Sequence, residues 1–192
     1  MSTLKIAVVC SSNQNRSMEA HKFLSKKGFN VQSFGTNGHV KIPGPSATQP
    51  NIYSFDATYE DMFQDLVEKD KILYTQNGML HMLERNKRIK LKPERFQDSP
   101  TVFNLIVTCE ERVYDQVVED LESRGCSACQ PVHVVNVEIQ DNHDDATLGA
   151  FHICDLCQLA REKEDLESEM DEVIAAFESK VDRPILHTVC FY

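Results

Sequence analysis

The sequence predicts an α/β fold, in which a doubly wound, mostly parallel sheet of four to five strands has helices on both faces. Short apolar runs, typical of strands buried on both faces, alternate with longer segments in which apolar residues recur every three or four positions. The 192 residues are 41% hydrophobic and 26% charged, which suits a single globular domain spanning residues 1–192.

The first βαβ unit is predicted in the opening 35 residues. Residues 4–9 form an apolar run that ends at Cys10, and a helical pattern follows from Ser17. Gly28 is suited to end that helix, and residues 30–34 read as the second strand. The later alternation predicts strands at 103–108, 132–137 and 185–189, and helices at 111–122, 146–160 and around 166–177.

Residues 36–95 interrupt this alternation and are expected to form a small cap-like insertion beside the site. The stretch 36–50 is rich in Gly, Pro, Asn and Thr, which indicates turns or a hairpin. Helices are predicted at 59–70 and 72–85, and Asn77-Gly78 is a candidate break in the second.

Charge, apolar runs and cysteine content limit what the protein is expected to bind and where it is expected to reside. The net charge of -10 argues against direct binding to nucleic acid, which needs a basic surface. We expect no membrane span, since no run of 18 apolar residues occurs, and the N-terminus lacks a signal-peptide layout. The seven cysteines are an odd set, which favours reduced thiols inside the cell.

The candidate site is a phosphate-binding loop between the first strand and the first helix. A cysteine followed after five residues by an arginine is a weak motif alone, but here it lies at a helix N-terminus, where free N–H groups attract an anion. Cys10 is the predicted nucleophile, and the helix and Arg16 should favour its thiolate. Ser17 can donate its hydroxyl to the departing thiolate. The predicted phosphate-binding residues are Ser11, Ser12, Asn13, Gln14, Asn15 and Arg16.

The alternative interpretation of this motif is a buried cysteine at a strand end, with Arg16 on the surface. A serine or tyrosine alkoxide leaves poorly, so a phosphatase also needs a proton donor at the same sheet edge. Asp141 is the first aspartate after the fourth predicted strand and is our candidate for the general acid. From spacing alone, Asp141 could equally be a turn residue.

Five further blocks of the chain are distinctive: CSSNQNRSMEA (10–20), YTQNG (74–78), TCEERVYD (108–115), QDNH (140–143) and LHTVCFY (186–192). Together they resemble the suppressor-of-sua-seven family of RNA polymerase II C-terminal-domain phosphatases. The family is similar to low-molecular-weight tyrosine phosphatases in its core. The Asp-Pro loop of those relatives has no counterpart here, since Asp182-Arg183-Pro184 stands in the wrong context, and the family's acid matches Asp141.

The resemblance implies a protein serine phosphatase that forms a phosphocysteine intermediate. Its substrate would be the heptad-repeat tail of the polymerase's largest subunit, phosphorylated at the fifth-position serine, with the seventh as a further candidate. The family accepts the serine–proline bond in cis. Since cis is the minority form and interconverts slowly with trans, a prolyl isomerase could control the rate at which substrate is supplied. Candidate peptide contacts in the cap are Lys41, Ile42, Pro43, Tyr74 and Met82, although ordinary packing would also explain each.

Further expectations follow from the same resemblance. The family binds the scaffold symplekin within the cleavage and polyadenylation machinery, which implies a nuclear protein in transcription and mRNA 3′-end processing, with some cytoplasmic protein allowed. No cofactor and no metal are expected. Alternative functions are an arsenate reductase on the same core, which would need resolving thiols, and a non-catalytic phosphopeptide-binding scaffold.

Two other features compete for an explanation. The pairs Cys126/Cys129 and Cys154/Cys157 have zinc-like spacing, but the second pair lies in a helical pattern, so structural thiols are the favoured interpretation. The basic run at 85–95 could steer a phosphopeptide or touch RNA, and is more simply a solvated turn.

Overall fold

The computed structural model describes residues 4–126 and 128–192 of the chain. Its strands are β1 (Lys5–Cys10), β2 (Asn30–Gly35), β3 (Val40–Ile42), β4 (Asn51–Tyr53), β5 (Leu105–Thr108), β6 (Pro131–Asn136) and β7 (His187–Phe191). Its helices are α1 (Arg16–Lys26), α2 (Tyr59–Gln76), α3 (Met79–Ile89), α4 (Glu111–Ser123), α5 (His143–Arg161) and α6 (Leu166–Val181).

The main sheet has five strands in the order β2-β1-β5-β6-β7. The first four run parallel, and β7 pairs antiparallel with β6 at the edge. Helices α1, α5 and α6 cover one face of the sheet and α4 covers the other, which confirms the predicted fold class. Within the described residues, no helix is both long and apolar enough to cross a membrane.

The apolar runs of the sequence reflect burial on both faces of this sheet. Ile6 and Val8 of β1 pack against the α1, α5 and α6 side, whereas Ala7 and Val9 pack on the α4 side. All four side chains have no exposed surface. A strand enclosed in this way favours continuous apolar residues over an alternating pattern.

The order of the strands places a crevice at the carboxyl end of β1. The chain passes from β1 through α1 to β2 on one side, and the later strand β5 lies on the other side. The connections after β1 and β5 therefore diverge, which is where ligands bind in doubly wound sheets.

The cap consists of the antiparallel pair β3 and β4 with helices α2 and α3. These elements share an apolar cluster of their own, to which Met18 of α1 contributes. The cap therefore rests directly on the helix that follows the phosphate loop. The division of the chain into a single domain with an insertion at 36–95 stays a prediction.

The two predicted cap helices are separated where backbone geometry interrupts the helical path. Asp70 lies inside α2 with φ -166° and ψ 88°, and its carboxylate accepts from the Leu73 N–H at 3.0 Å, which starts the next turn. Gly78, at φ +80°, then separates α2 from α3, as the Asn77-Gly78 pair predicted.

Candidate active site

The phosphate loop is braced from the side by the end of β2. The Thr36 and Asn37 N–H groups donate to the Ser11 carbonyl at 3.1 and 3.0 Å. A Cβ at Gly35 would stand 2.7 Å from that carbonyl oxygen, so only glycine allows this approach. The edge of the sheet thus fixes the path of the loop as it leaves β1.

Asn13 holds the centre of the loop. Its backbone is left-handed, with φ +54°, a conformation that asparagine tolerates. Its side-chain amide donates to Ser17 Oγ at 2.9 Å, and its amide oxygen accepts from the Glu94 N–H at 3.1 Å. The Tyr59 hydroxyl of the cap donates to the Asn13 carbonyl at 2.7 Å.

Cys10 Sγ lies 3.0 Å from Ser17 Oγ. The Asn13 amide can only donate to Ser17, so the Ser17 proton remains available for the sulfur. Asn15 is the N-cap of α1 but forms no side-chain cap bond, so the first turn keeps its positive end directed at the loop. The sulfur therefore has a hydroxyl donor and the positive end of a helix beside it.

The guanidinium of Arg16 is buried over the loop and faces carboxylates. It donates to Glu110 Oε2 at 2.9 Å and to the Ile139 carbonyl at 3.0 Å, and its other amino group lies 3.3 Å from Ser11 Oγ. Burial acts to lower the pKa of Arg16, but the negative charges of Cys10 and Asp141 and the Glu110 hydrogen bond outweigh it and raise that pKa. Arg16 therefore stays cationic beside the sulfur.

Glu110 is a site residue that was not predicted individually. It follows β5 at the same sheet edge as the loop, and Arg112 donates to its second oxygen at 2.9 Å. Partial burial alone would raise the pKa of Glu110, but Arg16 and Arg112 hold it below its usual range. Glu110 is the second residue after β5, so the reasoning that selected Asp141, a carboxylate on the loop after a central strand, also points to Glu110.

Asp141 lies at the entrance of the site with its side chain 58% exposed. The Asn15 amide donates to its Oδ1 at 3.0 Å, and Arg16 Nε lies 3.6 Å from the same atom. Asn142 caps α5 by accepting from the Asp145 N–H, which keeps Asp141 on the loop before the helix. The carboxyl is thus oriented toward the phosphate loop through one oxygen.

A cleft of about 630 Å³ opens above the loop, lined by Cys10 and Asp141 on the core side and by cap residues opposite. Lys41, Pro43 and Met82 line this cleft. Arg85, from the basic run that could steer a phosphopeptide, also lines it, whereas sequence reasoning missed several other lining residues, namely Glu19, Lys22, Gln76, Met79 and His81.

Two of the proposed peptide contacts are placed elsewhere. Ile42 and Tyr74 are 0% and 1% exposed and belong to the apolar core of the cap. The Tyr74 hydroxyl accepts from the Asn51 amide at 2.9 Å within that core. Their side chains therefore support the cap and do not reach the cleft, which corrects the expectation from sequence.

Polar side chains of the loop are tied to its surroundings. Ser12 Oγ accepts from the Lys41 N–H at 3.1 Å, and the Gln14 amide lies 3.5 Å from the sulfur of Met62. With these side chains engaged, backbone N–H groups are the natural donors to an anion.

Part of the basic run at 85–95 is structural, which corrects its interpretation as a solvated turn. Arg85 pairs with the buried Glu19 and donates to the Gln14 carbonyl at 2.7 Å, while Asn86 donates to that carbonyl at 2.9 Å. Lys90 donates to the Ser33 carbonyl at 2.7 Å. Burial lowers the pKa of both Arg85 and Lys90, and carboxylates partly offset this effect.

The two Cys-x-x-Cys pairs differ in their exposure to solvent. Cys126 and Cys129 are exposed, with sulfurs 3.4 Å apart, whereas Cys154 and Cys157 are buried in α5. Across residues 4–126 and 128–192, no three His, Cys, Asp or Glu side chains converge as metal ligands do.

Comparison with known proteins agrees with this geometry. The sequence profile of the Ssu72-like protein family matches residues 4–192. The chain belongs to the Ssu72 family. A Gallus gallus relative, named as the RNA polymerase II C-terminal domain phosphatase SSU72, is 66% identical over 191 residues, which cover 100% of this chain and 98% of the relative.

Other Ssu72 proteins agree in sequence and in fold. A Homo sapiens relative, named SSU72 like protein 2, is 56% identical over 191 residues. The aligned residues cover 100% of this chain and 98% of the relative. The crystal structure of Drosophila melanogaster Ssu72 with symplekin and a cis peptidomimetic peptide of the C-terminal domain, phosphorylated on its fifth-position serine, superposes with a TM-score of 0.96. That chain is 54% identical, and both chains are covered completely.

Proposed function

We propose that this chain is a cysteine-dependent protein phosphatase that removes phosphate from the fifth-position phosphoserine of the RNA polymerase II heptad tail. The observation that carries the proposal is Cys10 at the carboxyl end of β1, in contact with Ser17 and beside the buried cation of Arg16. The names of the Ssu72 relatives support this choice of substrate. The seventh-position phosphoserine is a second candidate substrate.

In the first step, the Cys10 thiolate attacks phosphorus and forms a phosphocysteine. Backbone N–H groups of the loop and the guanidinium of Arg16 bind the phosphoryl oxygens, more tightly as charge develops on them in the transition state. In the second step, water attacks phosphorus and Cys10 leaves as a thiolate. The Ser17 hydroxyl, 3.0 Å away, then stabilises the returning charge.

Asp141 acts as the general acid for the serine leaving group. Asn15 and Arg16 both approach its Oδ1, which leaves Oδ2 as the oxygen that carries the proton. After the proton is transferred, the same carboxylate can accept one from the attacking water. Glu110 is the wrong group for this role because Arg16 holds it ionised.

The peptide lies in the cleft between the cap and the Asp141 loop. Lys41, Pro43 and Met82 form the cap wall, and Lys41 places a cation where a second phosphate or an acidic residue could sit. A serine–proline bond in cis would turn the chain so that it enters and leaves a narrow cleft on the same side. Because cis and trans interconvert slowly, a prolyl isomerase would control the supply of substrate.

The same family membership supports a nuclear role. Binding to symplekin, as in the D. melanogaster structure, would place the enzyme within the mRNA 3′-end processing machinery. Some of the protein could also reside in the cytoplasm.

Phosphate release from heptad peptides tests the proposal. Each peptide carries a single phosphoserine and a proline mimic locked in cis or in trans. We expect turnover of the cis peptide phosphorylated at the fifth position, and little turnover of its trans counterpart. Equal turnover of both isomers would contradict the cis assignment, and no turnover of any heptad peptide would contradict the substrate assignment.

Two variants separate the roles of the nucleophile and the acid. Cys10→Ser should abolish release from every substrate yet still bind the phosphopeptide. Asp141→Asn should slow the serine phosphate at least about tenfold more than an aryl phosphate, because a phenolate leaves without a proton. Asp144→Asn, which removes a carboxylate from the first turn of α5, is the control. Equal slowing of both substrates by Asp141→Asn would exclude it as the acid.

A further inference from the structure

Cys109 is a fully buried thiol that the proposed mechanism does not use. It stands one residue beyond the end of β5, and its N–H donates to the Val9 carbonyl at 3.0 Å. Val9 pairs with Thr108 in the β1–β5 ladder, so the next pair along the two strands is Cys10 and Cys109.

The two side chains lie on the same face of the sheet. Cys10 and Cys109 both belong to the cluster beneath α1 and α5, while Val9, between Val8 and Cys10, packs on the opposite face. Neighbouring strands are about 4.8 Å apart, and Cα atoms joined by a disulfide are about 4.4–6.8 Å apart. Burial, and next the charge of Cys10, raise the pKa of Cys109 well above its usual range, so it is held as a neutral thiol.

The remaining buried thiols are less suitable partners for Cys10. Cys154 and Cys157 lie in the C-terminal half of α5, with Cys154 about 16 Å along the helix from His143 at the cleft. Cys190 packs on the opposite face of the sheet. The strand register therefore singles out Cys109 as the neighbour of the nucleophile.

We propose that Cys10 and Cys109 form a reversible disulfide when the protein meets a peroxide. The Cys10 thiolate attacks one peroxide oxygen, so an S–O bond forms, the O–O bond breaks and hydroxide leaves. Cys10 is oxidised to a sulfenic acid and the peroxide is reduced. The Cys109 sulfur then displaces the hydroxyl group, which takes the Cys109 proton and leaves as water. A small thiol reduces the disulfide and restores both cysteines.

The disulfide would both switch off the site and protect it. The Cys10 sulfur, bonded to Cys109, can no longer attack phosphorus. The bond also draws the first residue of the phosphate loop toward β5. Without a partner thiol, the sulfenic acid can be oxidised further to a sulfinic acid, which small thiols do not reduce. This inference rests on the proposed function only in that Cys10 is the reactive thiolate.

The test treats the full-length protein with hydrogen peroxide, alkylates the remaining thiols and maps the peptides by mass spectrometry. The wild type should show a linked Cys10–Cys109 peptide that is lighter by two hydrogens, and dithiothreitol should restore most of its aryl phosphatase activity. Cys109→Ser should give no linked peptide, carry two added oxygens on Cys10 and recover several-fold less activity. Cys190→Ser, a buried thiol on the opposite face, should behave as the wild type.

Two outcomes would overturn the inference. One is oxidation of wild-type Cys10 without a link to Cys109, and the other is full recovery of activity by oxidised Cys109→Ser. If Cys109→Ser does not fold, the peptide map of the wild type decides by itself, with Cys109→Ala as the second variant. A linked peptide in a protein that hydrolyses no phosphate ester would refute the proposed function and leave the disulfide standing.

Discussion

The orientation of Arg16 depends on one carboxylate that sequence reasoning did not single out. Glu110 accepts from Arg16 at 2.9 Å, where the cation is nearly excluded from water. A hydrogen bond between charged groups contributes about 1.5–3 kcal/mol. Since Arg16 must present its donors to the phosphoryl oxygens, losing this bond should affect the transition state as well as the resting enzyme.

We predict that Glu110→Gln lowers kcat/KM for an aryl phosphate about 10- to 100-fold, mainly through kcat, because Arg16 then samples other orientations. Steady-state kinetics on the purified variant measure this split. Glu111→Gln removes the neighbouring exposed carboxylate and should leave the kinetics unchanged. A Glu110→Gln enzyme with normal kcat would show that the other partners of Arg16, the Ile139 carbonyl among them, orient it adequately without the Glu110 charge.

The chemistry of single residues was predictable where it follows from strand ends. Cys10 ends β1 and Asp141 lies on the loop that follows β6, so the sequence could place both at one edge of the sheet. Ile42 and Tyr74 show the limit of this reasoning. In a short cap, the direction in which a side chain points depends on tertiary packing, which a turn-rich segment does not encode in its periodicity.

At the level of elements, helix α3 connects the cap to the phosphate loop. Arg85 and Asn86 both bind the Gln14 carbonyl, and Arg85 also neutralises Glu19, which is only 3% exposed. Without Arg85, the buried Glu19 would keep only the half-buried Lys22 as a cationic partner, at 3.4 Å, and a poorly compensated buried charge is costly.

We predict that Arg85→Leu lowers the free energy of unfolding by up to about 3–5 kcal/mol, because the buried Glu19 then keeps only the longer ion pair with Lys22 at 3.4 Å. Urea unfolding monitored by circular dichroism measures the change. Arg88→Leu, at an exposed position of the same helix, should change it by less than about 0.5 kcal/mol. Arg85→Lys keeps the charge and should recover part of the loss, and equal loss in both Arg85 variants would argue against the ion pair.

The boundaries of elements were predictable to within a few residues where backbone chemistry marks them. Gly78 separates α2 from α3 because glycine readily adopts φ +80°, and this position was visible in the sequence. The antiparallel direction of β7 was not predictable, because an apolar run carries no information on which neighbour it will pair with.

Across the described residues, burial lowers the pKa of four histidines, and the effect is largest at His21 and His133. Burial and the nearby charge of Lys90 lower the pKa of His21 to about 4, and burial beside His187 lowers the pKa of His133 to about 4. In the unfolded chain, the imidazoles of His21 and His133 would each have a pKa of about 6.5. Between these values, the unfolded state binds protons that the folded state excludes, so stability falls as the pH falls.

We predict that the free energy of unfolding decreases from pH 6.5 to pH 4, by up to about 3 kcal/mol from His21. Urea unfolding at a series of pH values measures this slope. His21→Gln should flatten the curve in this window, whereas His39→Gln, at an exposed position, should leave it unchanged. An unaltered slope in His21→Gln would mean that this imidazole titrates normally in the folded protein.

The bonds from Tyr59 and Arg85 to the backbone of the phosphate loop set how the entrance works. A lid that swung outward would have to break these bonds and disturb the anion cradle at every turnover. We therefore expect the entrance to keep its width during turnover, so that a substrate enters by bending its own chain. Such an entrance should favour flexible tails over phosphorylated residues embedded in folded surfaces.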